Sequence, residues 1–262
     1  MTKIIIQGQG IVGQATELFL KHYCENIEII FNDPYKDVTA SDEDFASADY
    51  VVVCVNTDLN TELTVPENNS ANVDAAVNES LEKGFRGKFV IRSTLGPETV
   101  LLIMQQLGQH VVFWPEFIRE ATWREDAVET KFVIIGGESA EQFANLFDAY
   151  PGGVFITDPM EAMIAKLSTN TFLAMKVVFA NQVAQLCTAI GADYNIVKVM
   201  LENEGRIGNS HLSVPGSDGK GGYSGKCFPK DVKTFEAALI KCGIHVDLIR
   251  AISDLNEELR ST

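Results

Sequence analysis

The chain has 262 residues, of which 46% are hydrophobic and 22% charged, and its formal net charge is −15. This length and composition allow a substantial core without disulfide staples, in one large domain or two modest ones. The negative charge argues against nucleic acid or an anionic membrane surface as the main partner, because both attract basic patches.

In the first half, short apolar runs alternate with helical patterns. Strands are predicted at Ile4–Gln7, Glu28–Phe31, Tyr50–Val55, Lys88–Arg92, Val111–Phe113 and Phe132–Ile135. Helices are predicted at Ile11–His22, Val73–Lys83, Pro97–Leu107 and Ala140–Phe147. This alternation predicts βαβ units and an α/β fold, with a parallel sheet of the Rossmann type.

The second half is predicted to be helical. Helical patterns cover Pro159–Ile190, Tyr194–Glu202, Pro229–Lys241 and His245–Leu259, with a glycine-rich loop over Gly205–Lys226. We place the domain boundary at residue 157, which gives a sheet domain over 1–157 and a helical domain over 158–262. The long central helix is interrupted by lysines, so we expect a core helix and no membrane span.

The five cysteines are odd in number and include no C-x-x-C pair, so neither a disulfide framework nor a metal site is expected. We expect a reducing, cytoplasmic compartment. Cys54 is predicted to be a buried strand residue. Cys24, Cys187 and Cys242 are predicted to fill helices as inert residues.

A glycine motif joins the first strand to the first helix. It comprises Gly8, Gly10, Ile11, Val12 and Gly13. Its glycines suit a tight turn, close approach of a pyrophosphate and close helix–strand packing. Asp33 follows the second strand, where a carboxylate accepts ribose hydroxyls and repels a 2′-phosphate. The order therefore predicts that residues 1–157 bind NAD; the alternative is a glycine turn beside a solvated aspartate.

Polar residues follow three further strands. Thr57, Thr94 and Glu116 lie at positions where parallel strands end, which is where open α/β sheets bind ligands. We expect them to line the nicotinamide pocket. For Thr94, capping of the following helix is a compatible alternative.

Cys227 differs from the other cysteines in its surroundings. It follows the glycine-rich loop, precedes a helix that starts at Pro229, and has Lys226 and Lys230 nearby. A helix N-terminus and cations both favour a nucleophilic thiolate. A loop cysteine beside a proline-capped helix is the alternative.

At this point the chain resembles the UDP-glucose/GDP-mannose dehydrogenase family. The landmarks occur in order along nearly the whole chain: G-Q-G-I-V-G, V-C-V-N-T, R-S-T-L-G-P-E-T, W-P-E-F-I-R-E-A, K-L-S-T-N-T-F-L-A-M-K, R-I-G and G-K-C-F-P-K-D. The resemblance implies that a sugar-nucleotide C6 alcohol is oxidised to a carboxylate with two NAD⁺.

By the same resemblance, Cys227 attacks the intermediate aldehyde and carries a thioester that water hydrolyses. Lys166 and Asn170 stabilise the oxyanion, and their i, i+4 spacing puts them on one face of the long helix. Asp231 and Glu116 position water and handle protons. For Lys166 the alternative is a surface lysine; for Glu116, a loop acid; for Asp231, an acid favoured at a helix start.

The same resemblance also implies which residues bind the cofactor and the substrate. Glu120 and Thr94 are implied to lie near the nicotinamide, while Arg206 and Gly222, with Lys166 and Asn170, contact the substrate. The long helix over 159–190 is implied to form a homodimer interface; the alternative is a buried helix of a monomer.

The chain also departs from the family. We expect it to be a shortened form, without the C-terminal UDP-binding domain. Asp58 stands at a proline position, and Ser224 and Lys226 replace a glycine and a serine before the cysteine. An alternative function is therefore a non-catalytic or split NAD-binding subunit that needs a partner. A third is a two-electron β-hydroxyacid dehydrogenase, for which Cys227 has no use.

Overall fold

The computed structural model describes residues 1–62 and 67–261. It divides into two compact units. The sheet unit comprises Met1–Asn60 and Asn68–Lys166, and the helical unit comprises Thr61–Glu67 and Leu167–Thr262. The division falls inside the long helix, whereas the domain boundary predicted from the sequence lies at residue 157.

A seven-stranded sheet forms the centre of the sheet unit. Its strands are β1 (Thr2–Gln7), β2 (Ile27–Asn32), β3 (Tyr50–Val53), β6 (Lys88–Ile91), β7 (Val111–Phe113), β8 (Phe132–Gly136) and β9 (Gly153–Thr157). Their order is β2-β1-β3-β6-β7-β8-β9. The mostly parallel sheet confirms the predicted α/β fold class. Two short strands, β4 (Leu59–Asn60) and β5 (Glu67–Asn68), form a separate pair.

One part of the sheet differs from the prediction. β8 runs antiparallel to β7, and β9 then pairs parallel with β8. β9 was not among the predicted strands, because its apolar run at Val154, Phe155 and Ile156 is short and follows two glycines.

Helices cover the sheet. They are α1 (Ile11–Tyr23), α2 (Asp42–Ser47), α3 (Ala71–Glu82), α4 (Pro97–Leu107), α5 (Trp123–Glu129) and α6 (Ala140–Ala144). Alternate strand residues enter two cores: Ile5, Val51 and Ile91 lie in one, and Ile4 and Val52 in the other. Burial on both faces explains the continuous apolar runs of these strands.

The helical unit contains most of α7 (Pro159–Ile190) together with α8 (Tyr194–Asn203), α9 (Phe228–Lys241) and α10 (Asp247–Ser261). Its core joins α7, α9 and α10 through Val178, Val232 and Ile252. In the part of the chain that the structure describes, α7 is the one helix long and apolar enough for a membrane span, a property that core helices of soluble proteins share.

Three of the cysteines are buried as predicted, and one is not. Burial raises the pKa of the Cys24 thiol to about 12 and that of Cys54 to about 11, so both are protonated near neutral pH. Cys187 is also buried. Cys242 was predicted to fill a helix, but it is exposed, because α9 ends at the preceding residue and Cys242 lies on its C-terminal cap.

Candidate functional site

The glycine turn after β1 has little space for side chains at two of its three glycines. Gly8 has a φ of +93°, and a Cβ there would lie 2.7 Å from the carbonyl oxygen of Cys54. A Cβ on Gly13 would lie 1.9 Å from the carbonyl oxygen of Gly8. At Gly10 no atom of the residues that the structure describes lies within 4 Å of such an atom. The turn is therefore tightly packed on the protein side and open at Gly10, where a ligand could approach the backbone.

Asp33 lies directly beside this turn. Its Oδ2 accepts a hydrogen bond of 2.8 Å from the backbone N–H of Gln9, and its Oδ1 accepts one of 3.2 Å from Tyr35. Ile11 and Val12 open α1, whose N-terminal cap is Gly10. A carboxylate, an open glycine and a helix N-terminus thus lie together, and this combination fits a dinucleotide with free ribose hydroxyls.

Thr57 and Thr94 are joined across neighbouring strand ends. The Thr57 hydroxyl donates a hydrogen bond of 2.9 Å to the carbonyl of Thr94, and both residues are buried. The N-terminal cap of α4 is Gly96. Thr94 is therefore not the capping residue that the sequence left open. Glu120, in contrast, is exposed in a short 3-10 turn at Glu120–Thr122.

A buried ion pair joins two of the predicted catalytic residues. Lys166 Nζ lies 2.9 Å from Glu116 Oε1, and the side chains are only 3% and 7% exposed. The backbone N–H of Ile118 also donates to Glu116, at 2.8 Å. Burial acts to raise the pKa of Glu116, but Lys166, this N–H and nearby Arg92 outweigh it and hold the pKa below its ordinary value. Glu116 is therefore a carboxylate at neutral pH, and Lys166 is not the surface lysine of the alternative interpretation.

Arg92 is a buried cation that the sequence analysis did not single out. Its guanidinium lies 3.8 Å from the ring centroid of Trp114, and its Nε and Nη1 atoms have no hydrogen-bond partner among the described residues. Burial lowers the pKa of Arg92, while Cys54 and Glu116 act in the opposite direction. The sequence signal that could have pointed to Arg92 is its charge directly after the apolar strand K-F-V-I.

Asp231 is the centre of a polar cluster in the helical unit. Its side chain is fully buried. Asn170 Nδ2 donates to Asp231 Oδ2 at 2.6 Å, and Lys230 Nζ donates to Oδ1 at 2.7 Å. Because a buried carboxylate needs hydrogen-bonding partners, Asn170 on α7 and Asp231 on α9 stabilise each other's placement.

Cys227 lies one turn before Asp231. It is the N-terminal cap of α9, it is exposed, and its carbonyl accepts a hydrogen bond of 2.9 Å from the backbone N–H of Asp231. α9 begins at Phe228, and Pro229 lies in its first turn. A helix N-terminus is a position where the helix dipole favours negative charge.

The predicted substrate residues lie in two loops of the helical unit. Arg206 is exposed and ion-paired with Glu204. Its loop is attached to α7 through Lys176, whose buried ammonium donates to the carbonyls of Ile207 at 3.1 Å and Gly208 at 2.9 Å. Gly222 is buried with a φ of +73°. A Cβ there would meet the Asn256 side chain, so close packing explains why a glycine stands at this position.

Comparison with known proteins shows similarity to a family of dehydrogenases. Residues 160–258 match the central domain of the UDP-glucose/GDP-mannose dehydrogenase family. The UDP-glucose 6-dehydrogenase of Rickettsia bellii is 30% identical over 180 residues, which is 64% of this chain and 40% of that protein. UDP-glucose 6-dehydrogenase TuaD of Bacillus subtilis is 31% identical over 153 residues, covering 57% of this chain and 32% of TuaD. The chain therefore spans about two fifths or less of these curated relatives.

Solved structures share the fold. A UDP-glucose dehydrogenase from Pyrobaculum islandicum has a TM-score of 0.83 at 22% identity, covering 98% of this chain and 68% of that one. A 3-hydroxyisobutyrate dehydrogenase from Mycobacterium tuberculosis has a TM-score of 0.75 at 17% identity, covering 100% and 94%. Together with the sequence matches, the first confirms the predicted resemblance: this chain is similar to the UDP-glucose/GDP-mannose dehydrogenases, and residues 160–258 correspond to their central domain.

Proposed function

We propose that this chain is an NAD-dependent dehydrogenase that oxidises the C6 alcohol of a nucleotide sugar of the UDP-glucose class to a carboxylate. One observation supports this most strongly. An exposed cysteine caps α9, and one turn later the same helix carries a buried aspartate hydrogen-bonded to Asn170. A two-electron dehydrogenase has no use for a thiol there.

NAD suits the residues of the sheet unit. We propose that the pyrophosphate lies against the turn at Gly8, Gly10 and Gly13 and the start of α1, and that Asp33 accepts the ribose hydroxyls. The remaining cofactor-binding residues in the proposal are Ile11, Val12, Thr57, Thr94 and Glu120. NAD⁺ supplies the chemistry of hydride acceptance, once for each of two successive oxidations.

The covalent steps belong to Cys227. After the first oxidation, its thiolate adds to the aldehyde carbon and forms a thiohemiacetal, whose oxygen takes a proton. Loss of that proton and of a hydride gives a thioester. Water then attacks the thioester carbonyl, releases the carboxylate, and returns the thiol.

Charged and polar neighbours assist these steps in the proposal. Lys166 and Asn170 donate to the developing oxyanion, and α7 runs without interruption through both residues. Glu116, ionised at neutral pH, accepts protons, and Asp231 orients the hydrolytic water. Arg206 and Gly222 contact the substrate.

We further propose that the chain forms a cytoplasmic homodimer through α7. Phe172, Phe179 and Leu186 are 59%, 55% and 58% exposed. They recur every seven residues and so lie along one face of the helix. Exposed residues of α8, among them Met200, add to the apolar surface. A second copy of the same helix would cover such a stripe.

The proposal is tested with purified protein, NAD⁺ and UDP-glucose. We expect two NADH for each sugar carboxylate formed. Cys227→Ser should stop carboxylate formation and allow one NADH at most, while NAD binding persists. Equal turnover by Cys227→Ser would favour the two-electron alternative. NAD binding without turnover, restored by a partner chain, would favour the split subunit.

A further inference from the structure

The loop before Cys227 is attached to α10 by one buried side chain. We define the cysteine loop as residues 218–227. Asn256 on α10 is 8% exposed, and its Oδ1 accepts a hydrogen bond of 2.6 Å from the backbone N–H of Tyr223. Its Nδ2 donates at 3.2 Å to the carbonyl of the same residue. The amide thus pairs with both backbone groups of one loop residue.

Glycine is required for this approach. A Cβ at Gly222 would lie 2.5 Å from Asn256 Oδ1, and one at Gly221 would lie 2.9 Å from Asn181 Oδ1. Gly222 also has a φ of +73°, which side chains rarely adopt. The glycines of the loop therefore allow its backbone to lie directly against polar side chains of α7 and α10.

A second attachment lies one turn later on α10. Arg260 donates to the carbonyl of Gly221 at 3.2 Å and forms an ion pair of 2.7 Å with Asp218. The Ser224 hydroxyl donates to the same aspartate at 3.1 Å. Ser224 is a position where the sequence departs from the family pattern, and in this structure it has a partner within the loop.

The attachment extends to both sides of the cysteine. The ring of Tyr223 meets the ring of Phe228 edge to face, with centroids 6.2 Å apart. Tyr223 lies four residues before Cys227, and Phe228 directly follows it. Asn256 fixes the backbone of one of these aromatic residues, and the ring contact connects it to the other.

We infer that Asn256 is a positioning residue, which holds the cysteine loop so that Cys227 caps α9. This inference rests on the proposed role of Cys227. A buried amide with two backbone partners in one loop residue contributes directed hydrogen bonds, which an apolar residue of similar size would not supply.

The test compares two exposed thiols of the same protein. Iodoacetamide labelling followed by peptide mass spectrometry measures the alkylation rates of Cys227 and Cys242, which is exposed at the other end of α9. Asn256→Ala should slow labelling of Cys227 at least about fivefold at neutral pH, since two hydrogen bonds are lost, and leave Cys242 unchanged. Asn256→Asp keeps the acceptor for Tyr223 and should fall between.

Asn203→Ala is the matched control, because Asn203 is an exposed helix asparagine that donates to its own helix at Val199. With UDP-glucose, Asn256→Ala should release aldehyde while the first NADH still forms, whereas general destabilisation would reduce both steps alike. Unchanged labelling of Cys227 in both Asn256 variants, or parallel changes at Cys242, would overturn the inference. The labelling assay uses neither NAD nor sugar, so its result stands even if the proposed activity fails.

Discussion

In the sheet unit, the candidate site residues are fixed by contacts among elements of the core. Gly13 packs against the backbone of Gly8, and Glu116 is held by a buried lysine 50 residues away. In the helical unit, by contrast, two loops are attached by a few polar side chains that reach from helices. Lys176 holds the loop after Arg206, and Asn256 holds the cysteine loop.

This difference between the two units predicts that changes in one mainly affect stability and changes in the other mainly affect function. A change to the sheet unit's site leaves a buried charge or a steric clash, so it should lower the free energy of unfolding strongly. A change to the loop attachments removes hydrogen bonds to a loop backbone and leaves neither an unpaired buried carboxylate nor a steric clash. It should cost less stability and mainly alter where Arg206 and Cys227 lie.

Lys166→Met should have the largest effect on stability. It leaves Glu116 ionised, buried and without its ammonium, and we expect a loss of about 3–5 kcal/mol in a denaturant titration. Lys21→Met, at an exposed lysine paired with Glu17, is the control and should cost less than about 1 kcal/mol. Adding Glu116→Gln to Lys166→Met should recover part of the loss; a cost as small as the control's would contradict the buried-pair account.

Gly13→Ala should have the second-largest effect on stability. The added Cβ would collide with the Gly8 carbonyl, so we expect about 1–3 kcal/mol of destabilisation and weaker NAD binding, measured by denaturant titration and calorimetry. The Cβ of Gly10→Ala would meet no atom within 4 Å in the described part of the chain, so the stability should change by less than about 0.5 kcal/mol. An equal loss of stability in the two variants would contradict the account that Gly13 is closely packed and Gly10 is open.

Lys176→Met tests the loop attachment. It removes two hydrogen bonds to the carbonyls of Ile207 and Gly208, so we expect the free energy of unfolding to fall by about 1–3 kcal/mol. Because the loop carries Arg206, KM for the nucleotide sugar should rise more than kcat falls. Lys198→Met, at the lysine paired with Glu202 on α8, is the matched control. A fall in kcat with KM unchanged would speak against a role through Arg206.

The smallest expected effect is a change in the pH dependence of stability, and it is confined to acid pH. The folded-state pKa of Glu116 lies below its ordinary value, so the stabilisation from its charge is complete above about pH 4.3, the unfolded value. It is lost as the pH falls through the lower folded value. Thermal unfolding between pH 5 and 2 should therefore show a shallower loss for Glu116→Gln than for the wild type. Parallel curves would contradict the depressed pKa.

Much of the sheet unit could be predicted because its signals are local. The glycine spacing, the apolar strands and the helix start at Pro97 all lie within short windows, and the structure places these elements close to where they were expected. The antiparallel placement of β8 could not be predicted, because no local pattern states which edge a strand joins or in which direction.

The site was less predictable where partners are distant in sequence. Nothing around Glu116 states that Lys166 pairs with it, and nothing around Gly222 indicates Asn256. Arg92 was given no role of its own, because only its burial against Trp114 distinguishes it from an ordinary charged strand end. Cys242 was misplaced because a helical pattern does not reveal whether its last position turns outward.

The central claim is that Cys227 carries the substrate as a thioester. Asp231→Asn should slow hydrolysis, so the protein is mixed with NAD⁺ and UDP-glucose, quenched in acid, digested and analysed by mass spectrometry. We predict an added nucleotide-sugar acyl group on the Cys227 peptide and none on the Cys242 peptide. NADH formation without any adduct on Cys227, together with unimpaired carboxylate production by Cys227→Ser, would contradict the account.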